Sequence, residues 1–102
     1  APHGHHNVVN ARAAAGYGSA ALHLADLAAL GGDDARARRH YEDALAHNAA
    51  MGARPWLART QLHYGRWLRR GGEAARAQAL LDEACATATE LGLDALAARA
   101  RG

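Results

Sequence analysis

An all-α fold of stacked helical hairpins is what this sequence predicts, and three observations lead to it. First, Gly31-Gly32-Asp33-Asp34-Ala35-Arg36-Ala37 returns forty residues later as Gly71-Gly72-Glu73-Ala74-Ala75-Arg76-Ala77. The same offset pairs Leu22 with Leu62, His23 with His63, Ala44 with Ala84, Gly52 with Gly92 and Arg59 with Arg99. A fixed period of about 20 to 50 residues is the signature of a repeat architecture. Second, half of the residues are hydrophobic, but Ala dominates them, Phe is absent and long β-branched runs are missing, which favours helices packed through small side chains. Third, each copy reads helix, glycine turn, helix. Gly31 and Gly71 follow apolar-periodic segments, where a left-handed residue closes a helix. Asp33 and Glu73 open the next segment, where an acid complements the helix dipole and Asp33 can accept from unpaired N–H groups.

Along the chain, residues 1–11 lack helical periodicity and read as an irregular lead-in. His3, His5 and His6 lie there without acidic or Cys partners, so a solvated tail is a better reading than a metal site. The repeat domain spans 12–102, with a first repeat over about 15–54, a second over about 55–94 and a fragment at 95–102. Its first helix is expected from about Arg12 to Leu30, with Leu22, Leu27, Leu30, Ala25 and Ala29 as apolar positions and Gly16 and Gly18 weakening its start. The second runs from about Asp34 to Met51, turns Tyr41, Ala44, Leu45 and Met51 inward, and is closed by Gly52. After a loop at 53–55 the third helix opens on Pro55, tolerated in a first turn, and reaches about Arg70 with both tryptophans, Trp56 and Trp67. The fourth runs from about Glu73 to Leu91 and ends at Gly92. Asp94 is expected to cap a short last helix that ends near Arg101.

Within each copy Ala37, Tyr41 and Ala44 share one helical face, as do Ala77, Leu81 and Ala84. With Gly32-Asp33 before them and Leu45 after, these residues resemble the second half of a tetratricopeptide repeat, and Gly72 opens the second copy. Gly65 matches that family's close-packing small residue in the first helix, and Ala25 fills the same place one repeat earlier. Ala21 and Gln61 stand where the family's tryptophan would be, and the repeats run to 40 residues rather than about 34. The stretch from Gly18-Ser19 through Met51 to Arg59 is also similar to the long-repeat helical regions that follow the ATPase module in large bacterial transcription activators and adenylate-cyclase-associated regulators. The resemblance implies a right-handed α-α superhelix of about two and a half repeats, a non-catalytic protein-protein interaction module within a larger signalling or transcription-regulatory protein. With Gly65 at that close-packing position, Gly65→Leu is expected to cost about 1 to 3 kcal/mol through overpacking, and Gly65→Ala to be far milder, since a helix-propensity gain of up to about 1 kcal/mol opposes the crowding.

In that family the first helices of the repeats line a concave groove. The positions carried over are Arg59, Leu62, Arg66, Arg69 and Arg70, with His63 among them and Arg99 on the next such helix. The first-helix equivalents, Ser19, Leu22, Asp26, Ala29 and Leu30, are mostly not basic, and the asparagine of the family's carboxylate clamp is absent. Arginine forks suit carboxylate and phosphate, so an acidic peptide is weighed against an ordinary charged surface in a chain whose 12 basic residues are all Arg. A regulatory domain sensing a small ligand around Trp67 and Tyr64 is the alternative function.

Other chemistry is set aside. A net charge of +2 is too small to imply nucleic-acid binding. No nucleophile with its base, carboxylate pair in a cleft, metal cluster or GxxxxGK[ST] motif stands out, so neither catalysis nor a cofactor is expected. His23 and His63 recur by repeat symmetry and read as packing or partly exposed repeat positions, while Glu42-Asp43 and Asp82-Glu83 read as a solvated face. Cys85, equivalent to Leu45, reads as a small buried hydrophobe. A lone cysteine, no signal peptide and no run of 18 apolar residues point to the cytoplasm, without a membrane anchor. About three repeats are needed for independent stability. Two and a fragment therefore predict self-association through open repeat ends rather than a stable isolated monomer.

Overall fold

The computed structural model describes residues 20–101. The lead-in, His3, His5 and His6, and the opening of the first expected helix with Gly16 and Gly18, lie outside the described residues. Residues 20–30 form α1, followed by α2 (Asp34–Ala50), α3 (Arg54–Arg70), α4 (Ala74–Leu91) and α5 (Asp94–Arg101). The described residues contain no strand. They are five packed helices, as the composition and periodicity predict. No described helix is long and apolar enough to cross a membrane.

All four turns have one design. After α1 the amide of Gly32 donates to Ala29 O at 3.2 Å and that of Asp33 to Ala28 O at 2.9 Å, the paired bonds that satisfy the last carbonyls of a helix. The same two bonds recur at Gly52, Gly72 and Gly92, whose φ angles are all positive. The left-handed residue is thus Gly32 and Gly72, at φ 79° and 90°, not the Gly31 and Gly71 expected. Gly71 stays right-handed at φ −84° as the helix cap, because the left-handed residue must lie one position beyond the cap for its amide to reach back.

Helix starts differ from expectation in two places. The Asp33 carboxylate accepts from the Arg36 amide at 3.2 Å, but Glu73 makes no such bond. Its longer side chain instead reaches across to the Arg38 guanidinium. Asp94 is the first residue of α5 rather than its cap; there it still complements the dipole.

Two apolar clusters share α3 and α4. One joins Leu22, Ala25 and Ala28 of α1 to Ala37 and Tyr41 of α2, Tyr64 and Leu68 of α3, and Ala77 and Leu80 of α4. The other joins Ala58 and Leu62 of α3 to Leu81, Ala84 and Ala88 of α4 and to α5. Between α3 and α4 the approach is tight at Gly65, where an added Cβ would lie 2.9 Å from Leu81 Cγ and 3.2 Å from Ala77 O. A layer of polar side chains crosses this core: Asn48, Thr60 and Gln61 are buried, and Asn48 Nδ2 donates to Thr60 Oγ1 at 3.3 Å. Met51, expected inward, is exposed, as are Leu27 and Leu30. They lie on helix faces that no other described element covers, or in Met51's case past the last turn. Cys85 is half-buried against the second cluster.

Candidate functional site

Helix α3 carries Arg54, Arg59, Arg66, Arg69 and Arg70 and no carboxylate. Ala58, Leu62 and Gly65 turn into the core, which leaves the arginines on the remaining surface. His63, Arg66 and Arg70 come together with Arg99 of α5 along one cavity of about 800 Å³. Asp26 and Leu30 of α1, Arg38 and Tyr41 of α2, and Trp67 complete its walls. Arg59 lies elsewhere, its guanidinium 5.3 Å over the Trp56 ring at a separate depression with Leu93 and Leu96. Arg69 is exposed and lines neither. Leu62 is 0% exposed and belongs to the core, not the groove, because the α3 face it occupies is the one that α4 and α5 cover.

Two of the three carboxylates of this cavity, Asp26 and Glu73, are engaged by neighbours, and Asp34 at the start of α2 also lines it. Tyr41 Oη donates to one oxygen of Asp26 at 2.7 Å, and His63 Nδ1 lies 3.0 Å from the other. Glu73 is held by Arg38, whose guanidinium also sits 5.4 Å over Trp67. Beneath them Tyr41 stacks on Tyr64 at 5.0 Å between centroids, with Trp67 tilted against both. By contrast Arg66, Arg70 and Arg99 have no carboxylate within ion-pair distance among the described residues, whereas Arg36, Arg38, Arg54 and Arg76 each have one. The groove therefore presents three guanidinium groups without an ion-pair partner, with Asp34 as the one carboxylate of its lining that no described neighbour engages, beside an aromatic floor.

Burial raises the Asp26 carboxyl, but the bonds from His63 and Tyr41 and the nearby imidazoles outweigh it and hold the group below its ordinary 3.8. Burial and the Asp26 charge together push the Tyr41 phenol well above its usual range, and burial with Glu42 pushes Tyr64 up to about 12. A carboxyl depressed in the folded state contributes stability that is complete above its unfolded pKa and lost as pH falls through the folded one. Asp26→Asn is accordingly expected to flatten the fall in urea midpoint on acidification from about pH 5 to pH 2. An identical acid profile in parent and variant would show that the Asp26–His63–Tyr41 contact adds nothing.

The sequence reading missed Asp26, Arg38 and Glu73 as parts of this site. One signal was available: the forty-residue offset places Asp26 at the position of Arg66, an acid where the next copy has a base. His23 and His63 are likewise equivalent yet differ, the first exposed and the second half-buried on Asp26. Glu42 is not merely solvated. It accepts from Tyr64 Oη at 2.5 Å and pairs with Arg76 at 2.8 Å. No group of three or more His, Cys, Asp or Glu side chains suited to a metal ion occurs among the described residues. No protein-family model, curated protein or solved structure matches this chain.

Proposed function

We propose that this chain is a tetratricopeptide-like interaction module, a right-handed solenoid of antiparallel helix pairs, that binds an acidic protein segment along the face formed by α1, α3 and α5. The observation that carries the reading is the convergence of Arg66, Arg70 and Arg99 on one cavity without intramolecular carboxylate partners. Planar guanidinium groups bind carboxylates bidentately, and uncompensated cations in a concavity attract anionic segments at a rate that falls as salt screens them. A sensor pocket centred on Trp67 has less support, since Asp26, Tyr41, His63, Arg38 and Glu73 around it already engage one another. The module is taken as the regulatory or scaffolding part of a larger bacterial protein. The leucines exposed on α1, Leu24, Leu27 and Leu30, support pairing of copies through an open repeat end.

The test is affinity capture from the source cell with the parent and with Arg66→Glu/Arg70→Glu, after circular dichroism shows equal helicity. The parent is expected to retain partners that the double variant loses and that moderate salt releases. Identical partners on both baits at both salt concentrations would rule out the arginine groove. Sedimentation of the same baits at micromolar concentration reads the self-association, which a compact monomer would exclude.

A further inference from the structure

His63, Arg66 and Arg70 stand at i, i+3 and i+7 on α3, one face of the helix, and all three line the cavity of about 800 Å³. Side chains at this spacing have Cβ atoms about 5 to 6 Å apart, so a carboxylate held on Arg66 comes within reach of the imidazole. The ring is oriented by α1. Its Nδ1 lies 3.0 Å from one oxygen of Asp26, whose other oxygen accepts from Tyr41 at 2.7 Å. An ionised carboxylate only accepts, so the hydrogen of the first bond belongs to Nδ1. Nε2, on the far edge of the ring, has no hydrogen-bond partner among the described residues, and the side chain is 28% exposed.

This lock decides what His63 offers a ligand. With Nδ1 protonated, the neutral ring presents a lone pair at Nε2, which repels a carboxylate oxygen; only the imidazolium presents an N–H there. The charges around it are divided. Asp26 attracts a proton to the ring, and His23 also acts on that carboxylate. From α2 come Asp34, Arg38 and Tyr41, from the start of α4 Glu73, from α5 Arg99, and from α3 itself Arg66 and Arg70. Arg38 and Glu73 pair with each other, and Arg59, one turn before His63, is held over Trp56. Arg66, Arg70 and Arg99 are left to oppose a fourth positive charge. A bound anion cancels that opposition.

We propose that an acidic segment in this groove recruits a proton from solvent to His63, which then donates from Nε2 to a carboxylate of the partner while Asp26 holds Nδ1. The inference rests on the arginine-groove reading and adds a regulation to it: the grip tightens as pH falls from about 8 to 6, the range in which imidazole gains its charge. Asp26 stays ionised throughout, since its carboxyl is held below 3.8. The arginines keep their charge at every pH in this range, so the change belongs to the histidine.

The probe is an acetylated, amidated peptide of alternating glutamate and alanine, which carries no group titrating between about pH 6 and 8. It is titrated calorimetrically into the full 102-residue chain at pH 7 in two buffers of different ionisation heat, whose difference counts the protons taken up. Uptake approaching one proton per peptide is expected, with affinity rising about tenfold from pH 8 to pH 6. His63→Gln, which keeps an amide donor for Asp26 but cannot titrate, is expected to bind with no uptake and a flat pH profile once circular dichroism shows parental helicity. His23→Gln, at an exposed position, is expected to keep both. Among the seven histidines, the ring nitrogens of His63 are expected to report the added proton in long-range ¹H–¹⁵N spectra of the complex. Failure of the parent to bind the peptide would overturn the groove and this proposal together. Binding with equal heats in the two buffers, uptake that persists in His63→Gln, or a proton appearing on another histidine would overturn this proposal alone.

Discussion

Gly65→Leu is expected to remove the cooperative unfolding transition, and even Gly65→Ala to lower the melting temperature. At this position α3 and α4 approach so closely that a single added carbon meets Leu81 Cγ at 2.9 Å and the Ala77 carbonyl at 3.2 Å. The second contact is with backbone, which cannot rotate away. The first is with a core side chain only 2% exposed. Overpacking a filled core costs about 1 to 3 kcal/mol, whereas alanine recovers at most about 1 kcal/mol of helix propensity. The balance reverses the mildness expected for alanine from helix propensity. A net loss near 1 kcal/mol lowers the melting temperature of a domain this size by roughly 4 to 8 °C. Leucine adds three further carbons to the same contact and is expected to exceed about 3 kcal/mol, a large share of a small domain's stability. Thermal circular dichroism measures both, and Leu81→Ala is expected to restore part of the loss in Gly65→Ala, since the residues are in contact. A Gly65→Ala protein melting at or above the parent would mean that the helices do not approach this closely.

Tyr41→Ala has an expected cost of comparable size for the opposite reason. Tyr41 is 1% exposed, stacks on Tyr64 and touches Trp67, and joins three helices through its hydroxyl bond to Asp26. Truncating a buried aromatic ring costs about 3 to 5 kcal/mol, because the ring's transfer energy is lost and a cavity remains. Tyr41→Phe keeps the ring and removes only one donor to a partly exposed carboxylate, a change expected at about 1.5 kcal/mol. Urea unfolding followed by tryptophan fluorescence separates the two, since Trp67 reports on this cluster. Equal midpoints for the Phe and Ala variants would show that the hydroxyl, not the ring, holds the three helices together.

Helix content and turn positions were legible in the residues themselves. A helix needs only local information: apolar spacing, small side chains and glycine where the backbone must turn left-handed, all of which recur at a fixed offset from Leu22 to Arg99. The same locality explains the single-residue error at Gly31 and Gly71, since either glycine of each pair can adopt the required φ and only the reach of the next amide chooses between them. Groove positions were partly legible. His63, Arg66, Arg70 and Arg99 do gather at one cavity, but Arg59 leaves for Trp56 and Leu62 goes inward.

What the sequence by itself determined is the alphabet of the fold: α-helices, their ends, and a surplus of arginine on α3. Only the tertiary structure decided which charges are spent. Arg38 and Arg76 meet carboxylates 35 and 34 residues away in the chain, on neighbouring helices, while Arg66, Arg70 and Arg99 meet none. The same packing buried Asn48, Thr60 and Gln61. Charge pairing and burial depend on how helices far apart in sequence are brought side by side, and no periodicity within a helix records that.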